Sequence, residues 1–141
     1  MPKINFFYED ISFDLKHKKV LREWIKSAIK AEGHSLDELN FIFCNDEYLL
    51  KINQEYLKHS TYTDIVTFDN SEVEGSITGD IFISIDRVRE NASKFNVPEK
   101  EELHRVMIHG TLHLLGYKDK SKSEKALMTS KEDEYLNLLS L

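Results

Sequence analysis

Glu99-Lys100-Glu101-Glu102-Leu103-His104-Arg105-Val106-Met107-Ile108-His109-Gly110-Thr111-Leu112-His113-Leu114-Leu115-Gly116 is the stretch that organises the whole chain. Leu103, Val106, Met107 and Leu114 mark one apolar side of a helix, and Ile108, Leu112 and Leu115 mark another. A helix that is apolar around most of its circumference belongs in the middle of a fold. His109 and His113 fall in the narrow strip between the two sides, one turn apart on a common face. Histidines in that strip face a cleft or a ligand. His104 points elsewhere on the helical wheel and is not placed with them. Gly116 is a stop signal, because glycine takes a left-handed position cheaply. The chain can then turn back and bring Asp119 to the same point. Two nitrogens and one carboxylate oxygen converge, with a fourth position open, as in a catalytic divalent-metal site, most often zinc. Histidines at this spacing also occur as satisfied core residues. The glycine turn and the nearby carboxylate favour the metal reading.

Working outward, Asn96-Val97-Pro98 opens this helix, with Pro98 at or near its first position. Glu99, Glu101 and Glu102 favour the positive end of its dipole. Upstream, Ile4 to Tyr8 reads as a strand. From about His17 to Ala31, the residues Val20, Leu21, Trp24, Ile25, Ala28 and Ile29 form a helical stripe that ends at Gly33. Trp24 is a core contact. Leu39 to Cys44 is a second strand, after which Asn45 caps a helix running to about Leu57. Asp64 to Phe68 and Asp80 to Ser84 are β-rich and can pair antiparallel across the acidic turn at Glu72 to Gly75. Ser84 caps a helix to Phe95. Ser121 with Glu124 forms a capping-box signature for a last helix to about Leu139. The expected fold class is α+β: one domain over residues 1–141, with a small mixed sheet of about four strands. Helices pack around the central helix that carries the histidines.

Composition bounds the function. Hydrophobic residues make up 40% of the chain and aromatics 11%, which suits a globular fold and excludes a disordered one. No linker, repeat or low-complexity tract interrupts it. The single cysteine, Cys44, has no partner for an intramolecular disulfide and sits in an apolar alternating run, as a buried strand thiol in a reducing compartment would. The N-terminus lacks a signal-peptide pattern and no apolar run approaches membrane-spanning length. A soluble, cytoplasmic protein with no membrane partner is expected. The formal net charge of −6 argues against nonspecific nucleic-acid binding, and no DNA partner is expected. Any role on RNA needs local cations, for which Lys58, Arg105, Lys118, Lys120 and Lys122 are candidates. Each of them also reads as an ordinary solubility charge.

Three segments together resemble the YbeY family of bacterial metal-dependent endoribonucleases, which act in ribosomal RNA maturation. His109 through Tyr117 fits the family pattern His-Gly-x-Leu-His-Leu-x-Gly-Tyr, which the family continues with Asp-His. Here Lys118 and Asp119 take those last two places. Tyr62-Thr63-Asp64-Ile65-Val66-Thr67-Phe68 resembles the family's Pro-Thr-Asp-Val-Leu-Ser-Phe segment. Gly79-Asp80-Ile81-Phe82-Ile83-Ser84 resembles its Gly-Asp-Ile-x-Ile-Ser strand. Order, spacing and chain length agree as well. The family usually has an arginine after an aromatic residue before the Thr-Asp pair, whereas Tyr56 is followed here by Leu57, which cannot hold phosphate. Lys58 is the nearest cation and His59 another candidate, although both also read as a solvated helix end, and lysine lacks the fork of arginine. Asp119 in place of a third histidine makes the site less positive and a bound water less acidic. A competing alignment with a one-residue insertion puts Asp119 at the family's Asp and Lys120 at its last His, which leaves two ligands.

The resemblance implies a single-strand-specific, zinc-dependent endoribonuclease of ribosomal RNA processing. Its expected tasks are maturation of the 3′ end of the small-subunit RNA and ribosome quality control. One zinc, or another divalent ion, would be held by His109, His113 and Asp119. Lys58 and Asp64 are the candidate substrate-binding residues, and no general base is assigned. The partners implied are ribosomal RNA and the ribosome or its small subunit, with the chain itself a monomer. One alternative is a noncatalytic ribosome-associated factor with a retained metal site, although three ligands with an open position argue against a purely structural metal. The other is a zincin-like metallopeptidase. Zincins carry a glutamate base directly after the first histidine, where this chain has Gly110.

Overall fold

In chain order, the elements are β1 (Lys3–Glu9), α1 (Lys18–Ala31), β2 (Ser35–Cys44), α2 (Asp46–Leu57) and β3 (Ile65–Asp69). They continue with β4 (Ser76–Ser84), α3 (Ile85–Phe95), α4 (Glu99–Leu114) and α5 (Lys122–Asn137). The structure is a computed structural model that describes residues 2–58 and 61–139. The sheet runs β1-β2-β4-β3. β1, β2 and β4 are parallel, with Ile4 opposite Leu39 and Phe41 opposite Ile81, while β3 pairs antiparallel to β4, with Val66 opposite Phe82. A mixed sheet of four strands with helices around a central helix is therefore the fold.

α4 is that central helix: it packs against α1, α3, α5, β3 and β4. Met107, Ile108 and Leu112 on it are fully buried, and Leu103 and Leu114 nearly so. Each fully buried aliphatic side chain contributes roughly 1.5–3 kcal/mol over an exposed one. The opposite half of this core comes from Leu21, Ile25 and Ile29 of α1 and from Phe41, Phe43, Ile81 and Ile83 of the sheet. Trp24 adds more than packing, because its indole N–H donates to the Tyr135 carbonyl at 2.8 Å and ties α1 to α5. A second, smaller core of Cys44, Leu49 and Val66 is capped by Tyr48, Ile52, Phe68 and Phe82. Burial, and then the nearby carboxylates, push the Cys44 thiol up to about 12, so it is an inert core group.

The strands extend further than hydrophobic runs suggest. β2 begins at Ser35 and β4 at Ser76, because Ser35–Glu38 pairs with Ser76–Thr78 across a bulge at Leu36/Glu38. Exposed polar residues there hide the alternation. Pro98 is the N-cap of α4, with φ −60° and ψ 143°, directly before its first residue Glu99. α5 stops at Asn137. Two glycines set how closely α4 approaches the β3–β4 pair. A Cβ on Gly79 would lie 2.8 Å from the Phe68 carbonyl oxygen and 2.9 Å from Leu114 Cδ1, and one on Gly110 would lie 2.7 Å from Ile65 Cδ1.

His104 lies apart from the histidine pair, buried edge-on against Trp24 at 6.3 Å between ring centroids. Burial, aided by Lys100 and His17, lowers its pKa from an ordinary 6.5 to about 4. The unfolded chain therefore binds this proton more readily than the fold. His104 costs nothing above pH 6.5 and erodes stability progressively as pH falls toward 4. His104→Leu is expected to recover up to ~3 kcal/mol of that acid-side loss. The measurement is urea unfolding of both proteins across this interval. Parallel curves would show that His104 titrates normally in the fold.

Candidate metal centre

The i, i+4 spacing places the His109 and His113 rings 4.7 Å apart between centroids, at 80° to each other. α4 then ends in a Schellman turn. Gly116, at φ 108°, donates its N–H to the His113 carbonyl at 3.0 Å, and Tyr117 donates to Leu112 at 3.0 Å. The reversal carries Asp119 back over the helix end. Its Oδ2 lies 3.3 Å from His109 Nε2 and 3.3 Å from His113 Nε2. Two donors held about 2.0–2.1 Å from one ion at a tetrahedral angle are themselves about 3.3 Å apart. The three residues thus form a donor set, its ligand atoms all within 4.8 Å of one another, with the spacing a single divalent ion requires. All three side chains keep partial exposure on one side, 21%, 28% and 37%, which leaves room for a further ligand.

Electrostatics around the group favour a cation. Glu132 of α5, whose side chain is 7% exposed, accepts from His109 Nδ1 at 2.5 Å. This fixes the ring so that Nε2 faces Asp119. Arg105 donates to the other Glu132 oxygen at 2.8 Å and to Asp133 at 2.7 Å. Burial alone would lower the His109 pKa, but Glu132, Asp119 and Asp64 outweigh it and raise it. Asp64, just before β3, is pushed up by burial, opposed by His109 and reinforced by Glu132 and Asp119. Burial and the Asp64 charge likewise raise Glu102. Four acidic residues thus act on His109 with one guanidinium among them, an environment that would suit a bound cation.

His109, His113 and Asp119 come together in one possible metal-binding group. Lys120 lies exposed beside it. Asp64 faces the same region. Lys58 sits in the left-handed C-cap of α2, at φ 56°, with exposed Leu57 before it. Among the described residues no ion pair or side-chain hydrogen bond joins Lys58 to the cluster. His59 lies outside the described residues. Arg105 is not a free cation for substrate, since Glu132 and Asp133 hold both its terminal nitrogens. Lys118 and Lys122 are exposed like Lys120, and all three are free of ion pairs among the described residues. Sequence reasoning missed Glu132. Its signal was a carboxylate between Met128 and Tyr135 on the buried stripe of α5.

A cavity of about 710 Å³ lies between α3, α4 and α5, lined by Glu102 and Arg105 but not by the His–Asp group. The His–Asp group itself opens to the surface, an arrangement accessible to an extended polymer. A family model described as Endoribonuclease YbeY matches residues 3–140. A Cytophaga hutchinsonii protein named Endoribonuclease YbeY is 55% identical over 135 residues, covering 96% of this chain and 94% of its own. A Porphyromonas gingivalis protein of the same name is 45% identical over 139 residues, covering 99% and 91%. The solution structure of TM1509 from Thermotoga maritima superimposes with a TM-score of 0.67 at 28% identity, covering 97% and 89%. Among the described residues no helix is long and apolar enough to cross a membrane.

Proposed function

Because this chain belongs to the endoribonuclease YbeY family, we propose that it is a single-strand-specific, zinc-dependent endoribonuclease of ribosomal RNA processing. Maturation of the small-subunit RNA 3′ end and ribosome quality control are its tasks in this reading, carried out in the cytoplasm by a monomer on ribosomal RNA and the small subunit. The observation that carries the chemistry is Asp119 Oδ2 lying 3.3 Å from both imidazole Nε2 atoms with one side open. His109, His113 and Asp119 hold the ion, which supplies Lewis acidity toward a phosphoryl oxygen and toward water. Glu132 orients His109 and keeps its Nε2 lone pair on the ion side. Asp64, its carboxyl pushed up by burial beside the centre, contributes a hydrogen-bonding carboxyl to the RNA backbone in this reading. Lys58 and the exposed Lys118, Lys120 and Lys122 supply phosphate contacts that offset the acidic total in this reading.

The peptidase alternative loses ground on geometry as well as on sequence. The position after the first histidine faces Ile65 and Ile81 of the sheet and has no room for a glutamate. A metal kept only for stability would have four protein donors and no open side, whereas three donors converge here.

The test is cleavage of a labelled single-stranded RNA alongside a duplex and casein. Wild type should cut only the single strand, lose activity in chelator and regain it with zinc, and His113→Ala should be inactive under all conditions. Casein hydrolysis that vanishes in His113→Ala would reverse the ranking. Lys58→Ala should weaken RNA binding more at low salt and shallow the dependence of affinity on salt by about 0.7 per lost contact. An unchanged slope returns Lys58 to the solvated surface.

A further inference from the structure

Glu32 closes the C-terminus of α1, far in sequence from the metal centre, and its side chain is only 12% exposed. Each of its two oxygens accepts from another segment. Oε1 accepts the Tyr117 hydroxyl at 2.6 Å. Oε2 accepts the Tyr135 hydroxyl and the Lys131 ammonium, the latter at 3.4 Å. Tyr117 lies in the turn two residues before Asp119. Tyr135 lies one helical turn after Glu132 on α5, and Lys131 directly precedes Glu132. The two segments that bring carboxylates to the histidines therefore meet on one anion supplied by a third element.

The turn needs such a tie. Its ends are fixed by the Schellman bonds after α4 and by the Ser121–Glu124 capping box of α5. Between them, residues 117–120 have no regular structure. Tyr117 to Glu32 is the one side-chain hydrogen bond joining these residues to α1 among those described. Two residues span at most about 7 Å, so fixing the Tyr117 hydroxyl narrows where the Asp119 oxygen can sit. A carboxylate suits the task because it accepts on both oxygens at once. The phenols and Lys131 outweigh burial and keep it charged.

We propose that Glu32 is a positioning residue for the metal centre: by holding Tyr117 and Tyr135 together it sets the distance from the Asp119 oxygen to the two imidazoles. The proposal rests on the metal-centre reading above. A purely structural role is the competing account, since α1 and α5 are also joined through Trp24 and the Tyr135 carbonyl.

Zinc affinity by competition with a chromophoric chelator and the visible spectrum of the cobalt(II) form separate the two accounts. Glu32→Gln keeps the volume but removes the charge and one acceptor. It should bind zinc about tenfold or more weaker, in the range that outer-shell partners command. Its cobalt spectrum should lose intensity as water replaces the Asp119 oxygen. Tyr117→Phe, which deletes one hydroxyl, should move both readouts the same way by less. Leu49→Ala, cut from the second core, should lower thermal stability while leaving zinc affinity and the cobalt spectrum at wild-type values. Wild-type affinity and spectrum in Glu32→Gln would overturn the proposal. If Glu32→Gln does not fold, Tyr117→Phe decides, and an unchanged affinity there overturns it. A wild-type protein that binds neither zinc nor cobalt would instead defeat the metal-centre reading.

Discussion

Asp119→Ala is expected to bind zinc more than about 100-fold weaker than wild type, whereas Asp119→His stays within about tenfold. The first figure exceeds the 10–100-fold typical of losing an outer partner, because a direct donor is lost. The Asp119 oxygen sits 3.3 Å from both Nε2 atoms, so its removal leaves two nitrogens and opens the site on a second side. Histidine restores a donor of similar bond length and also a net positive increment to the centre. RNA cleavage should follow metal occupancy, disappearing in Asp119→Ala at zinc levels that saturate wild type. The raised His109 pKa adds a pH signature. Zinc must displace a proton from His109, so affinity rises with pH through that group's pKa. Glu132→Gln removes the bond that favours the charged ring. The pH midpoint should shift downward while affinity at high pH falls through loss of ring orientation. Equal zinc affinity in wild type and Asp119→Ala would show that another oxygen or water completes the site.

Much of this centre is legible in the sequence because its donors are local. His109 and His113 are one helical turn apart, and the glycine turn returns Asp119 within a few residues. The central position of α4 is legible for a related reason: apolar residues on two sides of one helix leave it nowhere else to go. What the sequence hid is long-range and polar. Glu132 and Glu32 read as ordinary charges on amphipathic helices until the packing of α5 against α4 and α1 brings one to His109 and the other to two tyrosine hydroxyls. Arg105 read as a free cation because its partners Glu132 and Asp133 lie 27 and 28 residues away. The strand starts at Ser35 and Ser76 were hidden similarly. Those ends are held by each other's backbone across a bulge, a relation that local propensity does not encode.

Gly110→Glu is expected to leave little folded protein and to create no peptidase, although it completes the His-Glu-x-x-His pattern of zincins. α4 lies on the β3–β4 pair at this residue. A Cβ there would be 2.7 Å from Ile65 Cδ1 and 3.0 and 3.1 Å from Ile81 Cγ2 and Cδ1. The Ile65 tip is the flexible end of a side chain, so alanine is a bearable intrusion. Gly110→Ala should lose about 1–3 kcal/mol to overpacking, offset by up to about 1 kcal/mol of helix propensity. Glutamate has no such escape. It would carry a carboxylate between the helix and an apolar face built from Ile65 and Ile81. Burying an unpaired ionised group costs several kcal/mol even after it neutralises by taking up a proton. That loss is comparable to the whole stability of a typical domain, about 5–15 kcal/mol. Urea unfolding should therefore place Gly110→Ala slightly below wild type and find Gly110→Glu unfolded or nearly so in the absence of denaturant. A Gly110→Glu protein as stable as wild type would mean that α4 stands farther from the sheet than described. If it also hydrolysed casein, the surface at residue 110 would belong to the active cleft, and the case for nuclease over peptidase chemistry would lose its structural support.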